Sequence, residues 1–438
     1  MQSEIVIVGG GAGGLELACK LGRKLGPSKV MLVDSRLYHI WKPSLHEVAA
    51  GTLDIHQEGL SYQMLAHDNG FTFVYGPMTA LDAAQHRLTV GAVRASDGED
   101  VLHERKISYS SLVIAVGSTA NYFGVPGARE HTISLNVTED AERFRLRLLR
   151  LMAIAEQARE ERRSDATDVT APLDVVIIGG GATGVELAAE LREASGVYAT
   201  YGFSRLQVER DVRITLLEGA PRVLAPLPER VSSAALKLLN ERGIAVVTDC
   251  RVTKIEPHAV TDNEGNVYPA NLCVWAAGIR APEFLGTLGL PTNKGGQIEV
   301  DARLAVPGVP DVYALGDCAA CIDGSGKPVP PRAQAAHQQA DYLLKGFVRR
   351  AAGKAAFEKP YAYKDYGSLV SLGKTTSVGN LMGSLRGSSW FVEGMMARLM
   401  YTSLHLMHHQ AVLGSVRTGL LALARFLIRR TTPLVKLH

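Results

Sequence analysis

Cysteine is scarce in this chain of 438 residues, with five in all: Cys19, Cys250, Cys273, Cys318 and Cys321. So few and so scattered, they cannot make a disulfide framework, and a reducing compartment is expected. An excess of one charge is lacking too, since the formal net charge is only +3. No basic block or aromatic-interleaved basic patch occurs in the first 365 residues, which argues against nucleic acid as a partner. An apolar strand pattern begins by Glu4, leaving no room for a charged and then apolar leader; a cleaved signal peptide is therefore not expected, and the protein should stay in the cytoplasm. Long uncharged apolar runs are missing from the C-terminal part, so no segment there suits a bilayer span of about 20 residues. The apolar fraction, 46%, is ordinary for a globular protein and at this length supports two or three domains.

Glycine, by contrast, is concentrated. GGGAGG at Gly9 to Gly14 and GGGATG at Gly179 to Gly184 each follow a short apolar strand pattern. Both fit G-x-G-x-x-G: Gly9 and Gly179 permit a tight bend, Gly11 and Gly181 admit a pyrophosphate, and Gly14 and Gly184 let helix pack on strand. The helix that follows aims its N-terminal amides at the phosphates. After the first turn, a helical stretch and Val30-Met31-Leu32-Val33 lead to Asp34, twenty residues beyond Gly14, where a carboxylate suits an adenosine ribose. After the second, the corresponding acid is Glu218, thirty-four residues beyond Gly184. The extra length, roughly 194 to 210, reads as an extended helix end and a surface loop. Glu218 favours NADH over NADPH because a carboxylate there repels a 2′-phosphate, while Arg222 nearby pulls the other way.

The two halves close alike, on Ser111 to Val116 with Gly117 and on Leu272 to Ala277 with Gly278. These glycines are candidate close-approach positions beside the cofactors. An α/β fold with two Rossmann-type units follows, the runs being apolar enough for buried parallel sheets. Between them, Glu139 to Arg163 has helical spacing, and Ser164 to Asp168 reads as a solvated linker. A further strand, Asp311 to Leu315, runs into Gly316-Asp317.

With that turn the chain resembles the flavin-dependent pyridine nucleotide oxidoreductases. The resemblance implies FAD in the first unit, with Asp317 at the ribityl chain, and NADH in the second. It also implies a glutathione-reductase-like layout: a discontinuous FAD domain over 1–120 and 281–365, an NADH domain over 121–280, and a terminal region over 366–438. Disulfide reductases of this superfamily carry a CxxxxC pair where this chain reads WKPSLHEVA, from Trp41, without cysteine. No cysteine occurs between Cys19 and Cys250, which also argues against sulfide as donor. Cys318 and Cys321 form one CxxC with no second pair, so buried thiols are the expectation and no metal is assigned.

Pro331 to Ala340 reads as a helix with Gln334 and Gln338 one turn apart. This stretch is similar to the AQxAxQ signature of type II NADH:quinone oxidoreductases. So are GGGAGGLE, WKPSLHEVA, GGGATGVELAAEL, VWAAGI, GDCA and the closing LVKLH. The resemblance makes Gln334 and Gln338 quinone-site residues, places the candidate catalytic Glu186 near nicotinamide and flavin, and puts Lys42 and His46 at the flavin border. It further implies a homodimer attached monotopically to the cytoplasmic face of the bacterial inner membrane, oxidising NADH without pumping protons.

The tail agrees. From Gly383 onward Glu393 is the only acid, against Arg386, Arg398, Arg417, Arg425, Arg429, Arg430 and Lys436. Apolar residues recur at helical spacing from Phe391 through Met395, Met396, Leu399, Met400, Leu404 and Met407, and again at Val416, Leu420, Leu423 and Leu427. Basic amphipathic helices of this kind lie in the membrane interface, arginines toward headgroups; a dimer interface or core-facing helices are the alternative for the same faces. The competing readings are a ferredoxin or rubredoxin reductase with a protein acceptor, and a slow-turnover sensor resembling apoptosis-inducing factor. Neither requires a glutamine-bearing helix joined to a membrane-binding tail.

Overall fold

Branched apolar side chains from Ile5 to Val8 make the strand Gln2–Val8 buried over its C-terminal half. The computed structural model describes residues 1–95, 97–161, 172–373, 377–382, 389–428 and 435–436. In it this strand pairs in parallel with Val30–Asp34 and with Arg105–Ile114. Parallel neighbours need a crossover, supplied by the helix Ala12–Leu25. Thr72–Tyr75 extends one edge in parallel; Arg87–Val90 and Met78–Asp82 extend the other antiparallel. Val312–Ala314, far along the chain, pairs in parallel with Arg105–Ile114 and brings the Gly316-Asp317 turn back to the first sheet.

The second sheet is parallel throughout, in the order Ile133–Ser134, Leu272–Trp275, Leu173–Ile178, Val212–Leu217, Ile244–Val247. Where the chain leaves and re-enters the first unit, Thr119–Ala120 pairs antiparallel with Ile279–Arg280. The helix Thr138–Glu161 buries Phe144, Leu148 and Met152 in the second core. The expected linker from Ser164 to Asp168 lies outside the described residues.

The longer spacing to Glu218 is explained by the helix Ala182–Gly202, which runs 21 residues against 14 in its counterpart. Part of this stretch departs from a surface loop: Tyr198 is fully buried, its hydroxyl donating to the Ala50 carbonyl at 3.0 Å. An aromatic ring with one polar atom can be buried once that atom has a partner.

Strands Gly367–Ser371, Ser377–Met382 and Ser389–Glu393 form an antiparallel sheet before the terminal helices Gly394–Leu413 and Ser415–Ile428. Phe391 therefore sits on a strand, not on the expected helix, and its ring lies 4.3 Å beneath the Arg230 guanidinium. Two of the arginines are also corrected: Arg425, mostly buried, pairs with Glu58, and Arg417, half exposed, pairs with Asp68; Arg386, Arg429 and Arg430 lie outside the described residues. A cation close to a carboxylate on its own protein is held there in preference to a diffuse headgroup layer. The outward surface is apolar instead, from Leu404 at 44% exposure to Val416 at 78%, with Met395, Met396, Leu399, Met407, Leu420, Leu423 and Leu427 between. Among the described residues no helix is long and apolar enough to cross a membrane.

Candidate nucleotide sites and the buried groups between them

The two glycine turns are built on one plan. At Gly9 and Gly179 the backbone has φ of +104° and +110°, and a side chain would strike the neighbouring strand end, the Ala115 carbonyl at 2.4 Å and the Ala277 amide at 2.7 Å. Gly14 and Gly184 each face the carbonyl of that first glycine, at 2.0 and 1.9 Å from where a Cβ would lie. Gly11 and Gly181 differ: their φ, −68° and −73°, suits any residue, and an added Cβ meets nothing closer than 4.0 Å. No intramolecular contact calls for glycine there. A ligand backbone passing over the helix N-terminus does, because a Cβ would stand in the path of a pyrophosphate.

The acids match as well. Asp34 accepts from the Gly10 amide at 2.6 Å and the Arg36 amide at 2.8 Å. Glu218 accepts from the Gly180 amide at 2.5 Å and the Ala220 amide at 2.7 Å. Each carboxylate thus anchors the middle glycine of its own turn, and the difference in sequence spacing has no consequence at the site. Arg222 donates to the carbonyls of Leu227 and Ala225 at 2.8 and 2.6 Å, so its guanidinium is committed within its loop. Glu218→Gln is therefore expected to raise kcat/KM for NADPH by about tenfold relative to NADH, which a comparison of the two rates measures.

Around the first turn, Gly10 is also fixed through its carbonyl, which accepts from Tyr62 Oη at 2.7 Å and His39 Nδ1 at 2.9 Å. Gly117, at φ +72°, has open space where a Cβ would stand. Beside it, Ser118 Oγ donates to Asp317 at 2.8 Å, and Lys42 Nζ donates to the Ser118 carbonyl at 3.1 Å. Burial lowers the Lys42 pKa from its ordinary value, while the Asp317 charge opposes that shift. The glycines that leave room, the carboxylate at each second strand and the returning Asp317 fit two dinucleotides, FAD and NADH. Gly278 does not offer comparable space, since the Phe123 ring lies 2.4 Å from its would-be Cβ.

Glu186, one helical turn into Ala182–Gly202, is 7% exposed. It accepts from the Ser371 amide at 3.0 Å and lies 3.5 Å from His46 Nδ1. Burial pushes its carboxyl up to about 7, opposed by His46 and the Ser371 bond. It is thus not a solvated acid on a helix end: it joins the second Rossmann helix to the helix Leu45–Ala50 through His46, four residues beyond Lys42.

Gln334 and Gln338 share a face of the helix Ala333–Ala351, and both hold the segment leading into the terminal sheet. Gln334 Oε1 accepts from Tyr363 Oη at 2.8 Å and the Tyr366 amide at 3.1 Å. Gln338 exchanges two bonds with the Lys364 backbone, at 2.8 and 3.0 Å. Cys318 and Cys321 are buried, with thiols pushed up by burial to about 12 and about 11, so neither is a thiolate near neutrality.

Several residues that sequence reasoning missed gather here. Gln339 Oε1 accepts from the Gly316 amide at 2.7 Å, fixing the Asp317 turn. His337 pairs with Glu16, and Trp41 stacks on His337 with ring centroids 5.7 Å apart. His408 Nε2 meets His39 Nε2 at 2.8 Å. The signal was present: His405, His408 and His409 recur at helical spacing, which is unusual inside an apolar run.

The pyridine nucleotide-disulphide oxidoreductase family model matches residues 3–340. A type II NADH:quinone oxidoreductase of Haemophilus influenzae is 37% identical, with all of both chains covered. The internal alternative NAD(P)H-ubiquinone oxidoreductase A1 of Arabidopsis thaliana mitochondria is 28% identical over 92% of this chain and 80% of its own. The fold matches that of NDH2 from Plasmodium falciparum in complex with NADH, with TM-score 0.82, 19% identity and both chains covered in full. The chain belongs to the pyridine nucleotide-disulphide oxidoreductase family and, within it, to the type II NADH:quinone oxidoreductases.

Proposed function

We propose that this chain oxidises NADH at the Gly181–Glu218 cradle, holds FAD at the Gly11–Asp34 cradle, and reduces a quinone at the membrane surface. The observation that carries the reading is the pair of cradles, each with a central glycine that only a ligand explains. FAD, when bound, takes a hydride from NADH and returns two electrons to an acceptor. The protein orients and insulates: Asp317, Ser118 and Lys42 border the flavin, and Glu186 with His46 can hold a proton between the two cradles. For the quinone, Gln334 Nε2 donates one N–H to the Gly367 carbonyl at 3.5 Å and Gln338 Nε2 one to the Lys364 carbonyl at 2.8 Å, leaving the second N–H of each as the donor a quinone carbonyl would take. We assign 1–120 with 281–365 to FAD, 121–280 to NADH, and 366–438 to membrane attachment and homodimer formation. The return of Val312–Ala314 to the first sheet supports this division. Because the described helices do not cross a bilayer, oxidation is uncoupled from ion pumping in this reading. The cytoplasmic membrane face is its expected place.

The test uses the purified flavoprotein without oxygen. NADH should bleach the flavin, and a short-chain quinone should then restore its colour within turnover time; bleaching without recovery would refute quinone as acceptor.

Membrane attachment should depend on the apolar face. Each large apolar side chain buried contributes about 1.5–3 kcal/mol. The triple substitution Met396→Gln, Leu399→Gln, Leu420→Gln is expected to lower partition onto liposomes by more than about a hundredfold. Co-sedimentation measures this, with NADH oxidation by a soluble acceptor unchanged.

A further inference from the structure

We propose that Glu58, His405 and His409 form a binding site for a divalent cation of the zinc class, and that Arg425 is the built-in cation that competes for it. The place adjoins the first cradle, since His39, which bonds the Gly10 carbonyl, is among the residues that bound it, but none of its three ligands belongs to either glycine turn. Glu58 ends the short helix Ile55–Glu58, and His405 and His409 stand one turn apart on Gly394–Leu413. Their rings are stacked, centroids 4.5 Å apart and planes 15° from parallel. One ligand atom from each of the three residues lies within 4.8 Å of the others. Two histidines at i and i+4 with one glutamate are a recognised zinc set, and the fourth position is left for water.

The protonation pattern suits a metal. His409 Nδ1 lies 3.0 Å from the His405 carbonyl, which can only accept, so Nδ1 carries the hydrogen and Nε2 the lone pair. A ligating histidine is commonly oriented by such a carbonyl bond. A cavity bounded by His39, Trp41, Glu58, His405, His408 and His409 opens at this point.

The competitor is already in place. Arg425 Nη2 contacts Glu58 Oε2 and lies 3.3 Å from His409 Nε2, so one guanidinium nitrogen stands between the carboxylate and the imidazole lone pair. That is where a metal ion would sit. A divalent ion entering must expel the guanidinium, and like charges this close repel strongly. The expulsion cuts the tie between Glu58 and the helix Ser415–Ile428, whose outer face carries Leu420, Leu423 and Leu427. Metal occupancy and docking of this helix therefore oppose each other. The neighbouring trio of Glu16, His337 and His408 also brings three such atoms together, its carboxylate paired with the Lys20 ammonium.

The experiment titrates the tag-free, FAD-loaded full chain with Co²⁺ and follows the visible absorption of tetrahedral cobalt, then displaces it with Zn²⁺. One cobalt per chain is expected. Arg425→Gln should tighten binding by about tenfold or more, since it removes the competing charge. His409→Gln and, as an independent second ligand, His405→Gln should each weaken binding by about a hundredfold, with the flavin spectrum reporting an intact fold. Hydrogen exchange over 415–428 should quicken when the metal is bound. Absence of cobalt binding to wild type and Arg425→Gln alike would overturn the site, as would equal binding by wild type and the histidine variants. Unchanged affinity in Arg425→Gln would overturn the competition.

Discussion

The Gly181→Val protein is expected to fold normally and carry its full complement of FAD, yet to need at least about a hundredfold more NADH for half-maximal flavin reduction, a loss of roughly 2.7 kcal/mol. The backbone at Gly181 is extended and acceptable to any residue, and no atom lies within 4 Å of an added Cβ, so the protein itself gains no strain. The NADH pyrophosphate is what the new side chain would meet. Gly11→Val should act on the other cofactor in the same manner and yield apoprotein, because its surroundings are equally open. Gly184→Val is the control with a different cause: its Cβ would lie 1.9 Å from the Gly179 carbonyl, and the turn itself must break. Flavin content, thermal stability and anaerobic NADH titration separate the three. A Gly181→Val protein with unaltered NADH affinity would remove the second cradle from the nucleotide site.

The second large effect is expected at Glu186. Its carboxyl is raised from an ordinary 4.5 to about 7 by burial, so the folded protein keeps a proton that the unfolded chain has already released between these values. Stability should therefore fall as pH rises from about 4.5 to about 7 and level off above, by about 3 kcal/mol in all at 1.36 kcal/mol per unit. Glu186→Gln keeps the acceptor for the Ser371 amide and loses the ionisation. Denaturant unfolding as a function of pH should show this slope removed. If the same group passes a proton between the cradles, the variant should also lose about tenfold or more in quinone turnover together with the limb of the rate profile near pH 7. A pH-independent stability difference would show that Glu186 stays charged throughout and acts only by packing.

The legible parts of this protein are those whose cause is local. A glycine turn after a buried strand and before a helix is recognisable because its three glycines answer to backbone sterics and ligand approach. The two units, Asp34, Glu218, the Gly316-Asp317 turn and the absence of reactive cysteines were all readable on that basis. Helical spacing likewise revealed the two apolar faces after Gly394. What spacing could not tell was which partner the other face would choose. Arg425 has a headgroup and Glu58 as equally good partners until Glu58, far earlier in the chain, is brought beside it. Gln334 and Gln338 were singled out by resemblance to the AQxAxQ signature, since two glutamines one turn apart on a helix by themselves suggest a solvated face, and their bonds to Tyr363, Lys364 and Tyr366 arise from how the next segment folds back.

The sequence by itself marked two candidate dinucleotide cradles, the lack of a CxxxxC pair after the first, and a chain end of helices with an unburied apolar face. These follow from the backbone freedom of glycine, from the thiol count and from periodicity. Only the tertiary structure decided which buried groups lie between the cradles and which way the terminal helices turn. Glu186 meets His46, His408 meets His39, and His409 shares Arg425 with Glu58 because contacts over hundreds of residues depend on packing, and burial among those neighbours sets the charge each group can carry.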